Sequence, residues 1–132
     1  MFRVCLVLSL AALGFASTAS AHAATVMTCG SKARQHPSSC TISSDGTTAG
    51  TARLSSLKWS GWGKARATAK GRQAANHRDR DGSLPRYRTT VEVSALDFCD
   101  GKSYYTQIRF KTSWPGTRAR YSEWSSLPTP CS

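Results

Sequence analysis

Large aliphatic side chains are too scarce in this chain to build an ordinary hydrophobic core. From Ala24 onward, Leu, Ile, Val and Phe together supply only 12 of 109 residues, a fraction that is typical of disordered chains when the net charge is high. The same stretch holds four Trp, four Tyr and four Cys. An aromatic side chain buries about 150–250 Å², and a disulfide bond contributes about 2–4 kcal/mol. We therefore expect a small domain held by aromatic packing and disulfide bonds.

Residues 1–23 have the form of a secretory signal peptide. Arg3 gives a positively charged start, an apolar run follows from Val4 to Phe15, and small residues at alternate positions offer cleavage sites after Ala21 and Ala23. The apolar run is well short of the roughly 20 residues that span a bilayer. The pattern therefore predicts an exported, extracellular protein without a transmembrane segment in the mature chain.

Four cysteines follow the signal peptide, at Cys29, Cys40, Cys99 and Cys131. An even number of cysteines in an exported chain is typical of disulfide bonds, and four of them allow three connectivities. The pairing of Cys29 with Cys40 and of Cys99 with Cys131 is favoured because it closes the shorter loops, while the other two pairings stay open. No C-x-x-C motif or nearby pair of histidines accompanies them, so neither a metal site nor a cofactor is predicted.

Alternation of residue types predicts a single all-β domain over residues 24–132. Residues 24–50 are polar and rich in turn residues, whereas residues 51–132 hold the clearer strands. The clearest hairpin is centred on the Asp100-Gly101 dipeptide, because glycine tolerates the positive φ of a tight turn. The expected architecture is a small antiparallel sandwich or a partly open barrel, held by disulfide bonds.

The run from Lys64 to Arg72 alternates strictly between small residues and mostly cationic ones. A period of two predicts a strand that turns its small residues inward and its cations outward. A helix is the alternative, because alanine is a good helix former. At helical spacing the cations would scatter around the axis, so we favour the strand.

The segment Leu54-x-x-Leu57-x-Trp59-Ser60-x-Trp62-Gly63, followed by Ala65, Ala67, Ala69 and Gly71, resembles a group of small secreted proteins from actinomycete bacteria. The resemblance covers roughly Leu54 to Phe110. It implies export and a β-rich fold with a hairpin near the C-terminus. Because the group is of unknown function, the resemblance implies no catalytic residues. From the residues themselves, we expect Trp59 and Trp62 to pack in the core.

Positive charge dominates the middle of the chain. The formal net charge of +11 falls to +10 when Arg3 leaves with the signal peptide, and nine Lys and Arg between Lys58 and Arg88 face only Asp79 and Asp81. The candidate anion-binding residues are Lys64, Arg66, Lys70, Arg72, Arg78, Arg80, Arg86 and Arg88. We expect a binding module that docks on an anionic partner, such as a cell-wall polymer, nucleic acid or lipid head groups. A surface that only keeps the domain soluble is the alternative.

Two further functions remain open. A secreted hydrolase or nuclease-type toxin would use Glu92 and His77 as an acid–base pair, but no motif assigns a catalytic residue. A secreted protease inhibitor is the other alternative, although the cysteine spacing matches no inhibitor pattern. Tyr105, with Arg109 and Lys111 on the same predicted strand face, is a candidate aromatic platform for bases or sugars.

Overall fold

The computed structural model describes residues 23–43 and 51–131. The predicted signal peptide, apart from Ala23, lies outside these residues. The described part of the chain contains strands and no helix, and hence no helix suited to crossing a membrane, which confirms the all-β prediction. The strands are β1 (Thr25–Cys29), β2 (Lys32–Arg34), β3 (Cys40–Ser43), β4 (Thr51–Ser60), β5 (Arg66–Ala74), β6 (Arg86–Cys99), β7 (Lys102–Thr112) and β8 (Ser125–Ser126).

The strands form one curled sheet in the order β2-β1-β7-β6-β5-β4-β3, with β8 beside β7. Neighbouring strands are antiparallel except for β1 and β7, which run parallel. The curl brings the distant strands β1 and β3 together, where the Gly30 amide donates to the Thr41 carbonyl at 2.7 Å. A disulfide bond from Cys29 to Cys40 links the same two strands. The architecture is therefore a half-barrel, which confirms the predicted partly open barrel.

Both disulfide bonds follow the favoured connectivity. The first joins Cys29 to Cys40 across 11 residues of sequence, and the second joins Cys99 to Cys131 across 32 residues. Cys99 ends β6, so the second bond attaches the last residues of the chain to the tip of the β6–β7 hairpin. That hairpin turns at Asp100 and Gly101, whose φ angles are 50° and 73°, as expected for a two-residue turn.

The core is built from small residues on β5 and larger ones on its neighbours. Ala67 and Ala69 are almost fully buried and lie opposite Val93 and Val91 on β6. The predicted inward face of small residues is confirmed for Ala67 and Ala69, whereas Ala65 is exposed because the strand begins at Arg66 and not at Lys64.

Aromatic side chains occupy much of the remaining interior. The Trp59 and Trp62 rings meet edge to face at 4.8 Å, and the Trp62 ring meets Tyr105 at 5.2 Å. Their indole N–H groups donate to the carbonyls of Pro37 and Thr25, at 2.8 and 3.1 Å. Both tryptophans are partly buried against the core cluster, so the core-packing prediction holds.

Tyr105 is fully buried, and the prediction that it joins the outer cations is wrong. Its hydroxyl donates to the Lys64 carbonyl at 2.6 Å and accepts from the Gly63 amide at 3.0 Å. The alternation along β7 breaks because the ladder to β6 is interrupted at Ala95, which has a φ of 58°. Consequently Tyr105 and Ile108, three residues apart, both lie in the core.

A bulge in β4 sets the packing of β4 on β5. The register shifts by one residue between Ser55 and Lys58, and Ser56 has a φ of 53°. One extra residue in a strand rotates the side chains that follow, so Leu54 and Leu57, three apart, are both buried. The bulge lies against Gly71 of β5, where a Cβ atom would be 2.6 Å from the Ser55 carbonyl oxygen.

Candidate functional site

The register of β5, β6 and β7 places four exposed cations together on the outer face of the sheet. Arg72 lies opposite Arg88, and Lys70 and Lys111 lie opposite Thr90 on its two sides. Directly opposed residues on antiparallel strands have Cβ atoms about 4.5–5.5 Å apart. We call Lys70, Arg72, Arg88 and Lys111 the basic cluster.

A shallow groove of about 350 Å³ runs through the basic cluster and is called here the first groove. Its lining consists of Lys70, Gly71, Arg88, Thr89, Thr90, Lys111, Ser113 and Ala119. The charged members of this lining are all cations, and Thr90 and Ser113 add hydroxyl groups that can donate hydrogen bonds. The groove therefore presents donors and positive charge and no carboxylate.

Among the described residues, no carboxylate forms an ion pair with a member of the basic cluster. Within residues 23–43 and 51–131, both ion pairs use Glu92, which lies 2.8 Å from Arg109 and 3.8 Å from Arg66. Like charges held opposite each other on a sheet repel and destabilise it. An anion from solution would relieve that repulsion.

A second group of side chains covers the same sheet face beside the basic cluster. The Arg109 guanidinium carbon lies 4.3 Å from the centre of the Tyr121 ring and 4.5 Å from that of Trp124. Arg66 lies 5.4 Å from the Trp124 ring. Cations over aromatic faces are attracted by the ring quadrupole, so Arg109 is held in place by Glu92 and by both rings, whereas Arg66 reaches only Glu92 and Trp124.

Glu92 is ionised in this setting. Burial acts to raise the pKa of its carboxyl group, but hydrogen bonds from Arg109 and Tyr121 and the charges of Arg109 and Arg66 hold the pKa below its ordinary value of 4.5. Burial and the hydrogen bond to Glu92 in turn raise the pKa of the Tyr121 hydroxyl. A general base is most effective when its pKa lies near the operating pH, so a lowered pKa makes Glu92 a weaker base.

We expect Glu92→Gln to lower the free energy of unfolding by about 1.5 kcal/mol at about pH 7, because the charged hydrogen bonds to Arg109 are lost. A carboxyl with a lowered pKa in the folded state stabilises the fold above its unfolded pKa, and that stability is lost as the pH falls through the folded pKa. Urea titrations near pH 7 and near pH 3 should show that the free energy of unfolding falls less between these pH values in the variant than in the parent. An identical pH dependence would contradict this role of Glu92.

Three of the eight predicted anion-binding residues come together in the structure. Lys70, Arg72 and Arg88 belong to the basic cluster, whereas Arg66 is engaged by Glu92. Arg86 is exposed at the start of β6, opposite Ala74.

The remaining three lie outside the strands. Lys64 sits in the turn before β5, where its amide donates to the Gly61 carbonyl at 3.0 Å. Arg78 and Arg80 are exposed in the loop between β5 and β6, and Arg78 donates to the Gly82 carbonyl at 2.7 Å. The loop therefore holds one of these arginines against its own backbone.

The sequence patterns placed Lys111 only beside Tyr105 and Arg109 in the candidate aromatic platform, and they marked neither Tyr121 nor Trp124. The position of Lys111 can be predicted from the sequence. A two-residue turn at Asp100-Gly101 pairs Cys99 with Lys102, and counting outward along both strands from this pair places Lys111 opposite Thr90. No pattern marks the two rings, since they follow β7 in a segment with little regular structure. In the described ranges, no group of three or more His, Cys, Asp or Glu is placed to hold a metal ion.

Comparisons with protein-family models, with curated proteins and with solved structures find no match to this chain.

Proposed function

We propose that this protein is an exported binding module that docks on an anionic polymer or surface through its basic cluster. The observation that carries the proposal is the group of four exposed cations around the first groove, none of which has an ion-pair partner in the described part of the chain. Two disulfide bonds and the signal-like N-terminus support export, because disulfides persist in oxidising compartments.

The rigidity of the sheet distinguishes this cluster from scattered surface charge. Lys70 and Arg72 are held by continuous pairing of β5 with β6, and Lys111 is held by pairing of β7 with β6. Their backbones need no ordering when a ligand arrives, so less conformational entropy opposes binding. Each phosphate or other anionic group that meets a cation also releases condensed counterions, which makes binding steeply dependent on salt.

The test compares two double variants that change the net charge equally. Lys70→Glu with Lys111→Glu reverses two members of the basic cluster, whereas Lys32→Glu with Lys102→Glu reverses exposed lysines on β2 and at the far end of β7. Retention on purified cell wall, on anionic lipid vesicles and on an oligonucleotide is measured across a salt series. We expect the first variant to weaken binding about tenfold or more and to reduce the salt slope on single strands by about 1.4, with a much smaller effect from the second.

Equal losses in the two variants would mean that binding follows overall charge and has no site. Absence of binding by the parent to all three probes would make the charge a feature of solubility and overturn the proposal. Thermal melts of all proteins establish that the substitutions leave the fold intact, as expected for exposed side chains.

A further inference from the structure

The inner face of the sheet carries a cavity of about 390 Å³ at the end where β5 and β7 stop and β6 begins. We call it the inner cavity, and its lining consists of Gln73, Phe110, Thr112, Trp114, Thr117, Arg118, Arg120, Tyr121 and Ser122. Thr112 lies opposite Thr89 of β6 and both are buried, which places this lining on the core-facing side. The basic cluster occupies the other face, so the inner cavity is a separate feature of the fold.

The chain that follows β7 forms a second wall of the inner cavity. It folds back along the edge of β7, where the Ser122 amide donates to the Phe110 carbonyl at 2.7 Å and the Ser122 hydroxyl accepts from the Phe110 amide at 3.0 Å. The Thr117 hydroxyl donates to the Trp114 carbonyl at 3.2 Å and closes the turn between them. Both walls are therefore in place before a ligand arrives, which lowers the entropic cost of binding.

A chain of hydrogen bonds orients the Gln73 amide in the inner cavity. The Thr112 hydroxyl donates to Gln73 Oε1 at 2.6 Å and lies 2.8 Å from the Thr89 hydroxyl. Because a hydroxyl has one proton to donate, Thr89 completes the chain by donating to Thr112. The two N–H donors on Gln73 Nε2 have no hydrogen-bond partner in the part of the chain that the structure describes. The amide can therefore offer both donors to a ligand.

Arginines and aromatic rings complete the lining. Arg118 and Arg120 are exposed, and neither belongs to an ion pair within residues 23–43 and 51–131, where both ion pairs use Glu92. Trp114 keeps 38% of its surface exposed, and Phe110 packs partly buried against the core. The lining contains no carboxylate. A ligand in the inner cavity would meet apolar rings together with donors and positive charge, the combination that is typical of small-molecule sites.

We propose that the inner cavity binds a small organic acid, with its carboxylate at Arg118, Arg120 and the Gln73 amide and its apolar body against Phe110 and Trp114. Hydrogen bonds between arginine and a carboxylate are charge-assisted and often bidentate. The volume falls within the range of about 300–1,000 Å³ that small ligands occupy. An amine or a metal cation would find no opposite charge in this lining. The inner cavity shares no residue with the basic cluster, so this inference goes beyond the proposed function.

The test is an NMR titration that follows the side-chain N–H signals of Gln73 and Trp114. The probes are naphthoate, octanoate and the neutral naphthylmethanol. We expect the acids to shift both signals, and naphthoate to bind at least about tenfold tighter than naphthylmethanol, because the alcohol brings no charge to the arginines. The ratio of the two acid affinities identifies an aromatic or an aliphatic body. Equal affinity for naphthoate and naphthylmethanol, or shifts at neither side chain, would overturn the proposal.

Two double variants that remove the same charge separate a site from net charge. Arg118→Gln with Arg120→Gln changes the lining of the inner cavity, whereas Lys32→Gln with Lys102→Gln changes exposed lysines outside it. We expect the first to weaken naphthoate binding about tenfold or more and the second to change it by less than about twofold. Equal losses would mean that acid binding follows overall charge, and would exclude a site at the inner cavity.

Gln73→Glu tests the amide with little change of shape. The variant keeps an oxygen that accepts from Thr112 but replaces the N–H donors by a negative charge, so naphthoate binding should weaken about tenfold or more while the melting temperature stays near that of the parent. Lys70→Glu on the opposite face should leave naphthoate binding within about twofold. Unchanged binding in Gln73→Glu, or an equally large loss in Lys70→Glu, would refute the assignment of the acid to the inner face.

Discussion

Gly71→Ala is expected to lower the free energy of unfolding by about 3 kcal/mol and the melting temperature by about 15 °C. A Cβ atom at this position would lie 2.6 Å from the Ser55 carbonyl oxygen and 3.2 Å from the Leu57 Cα. These are backbone atoms of the β4 bulge and cannot rotate away, so β4 has to move from β5. Because Lys70 and Arg72 flank Gly71, the same movement should also weaken anion binding.

Replacing a glycine within a strand by alanine normally raises the free energy of unfolding by about 0.5–1 kcal/mol. A decrease at Gly71 would therefore point to the contact with the β4 bulge. Gly101→Ala serves as the control. Gly101 has a φ of 73° and nothing within 4 Å of an added Cβ, so the cost there is the backbone strain alone, about 1 kcal/mol. Urea unfolding of both variants should rank Gly71→Ala as the more damaging. A neutral or stabilising Gly71→Ala would show that the bulge does not press on β5.

Removing the sheet-closing disulfide with Cys29→Ala and Cys40→Ala is expected to cost about 3 kcal/mol, from the entropy of the 11-residue loop that it closes. The stability is lost mainly because the unfolded chain gains conformational entropy when the bond is removed. In the folded state the bond joins β1 to β3 beside the hydrogen bond from Gly30 to Thr41. Without it the half-barrel should open locally at this seam.

The second disulfide is the matched comparison. Cys99→Ala with Cys131→Ala opens a loop of 32 residues, for which chain entropy gives about 4 kcal/mol. Amide hydrogen exchange should separate the two variants. The first should lose protection at Gly30, and the second should lose it at Leu127, whose amide donates to the Thr106 carbonyl at 2.8 Å. Loss of protection at the same amides in both variants would contradict a local role for either bond.

Much of the fold was predictable from local patterns. Alternation marked β5, β6 and β7, and the Asp100-Gly101 turn set the pairing of β6 with β7. A two-residue turn leaves a single register, so even the position of Lys111 opposite Thr90 follows from counting along the hairpin. The favoured disulfide connectivity also followed from chain separation alone.

Other parts of the site were beyond local reasoning. The loop between β5 and β6 is long, so nothing in it specifies that Arg72 lies opposite Arg88. The inward position of Tyr105 depends on the irregular backbone of Ala95 on the neighbouring strand. Tyr121 and Trp124 reach Arg109 because the chain after β7 folds back along its edge, where Lys111 pairs with Tyr121.

The amino-acid sequence by itself determined an all-β, disulfide-bonded domain with a cationic outer face, because residue alternation and tight turns act over a few neighbouring positions. Only the tertiary structure decided which cations remain without a carboxylate. Glu92 on β6 forms ion pairs with Arg109 on β7 and Arg66 on β5. These ion pairs form only when the three strands are paired. Among the described residues, the four members of the basic cluster are some of the cations that this pairing leaves without a carboxylate partner.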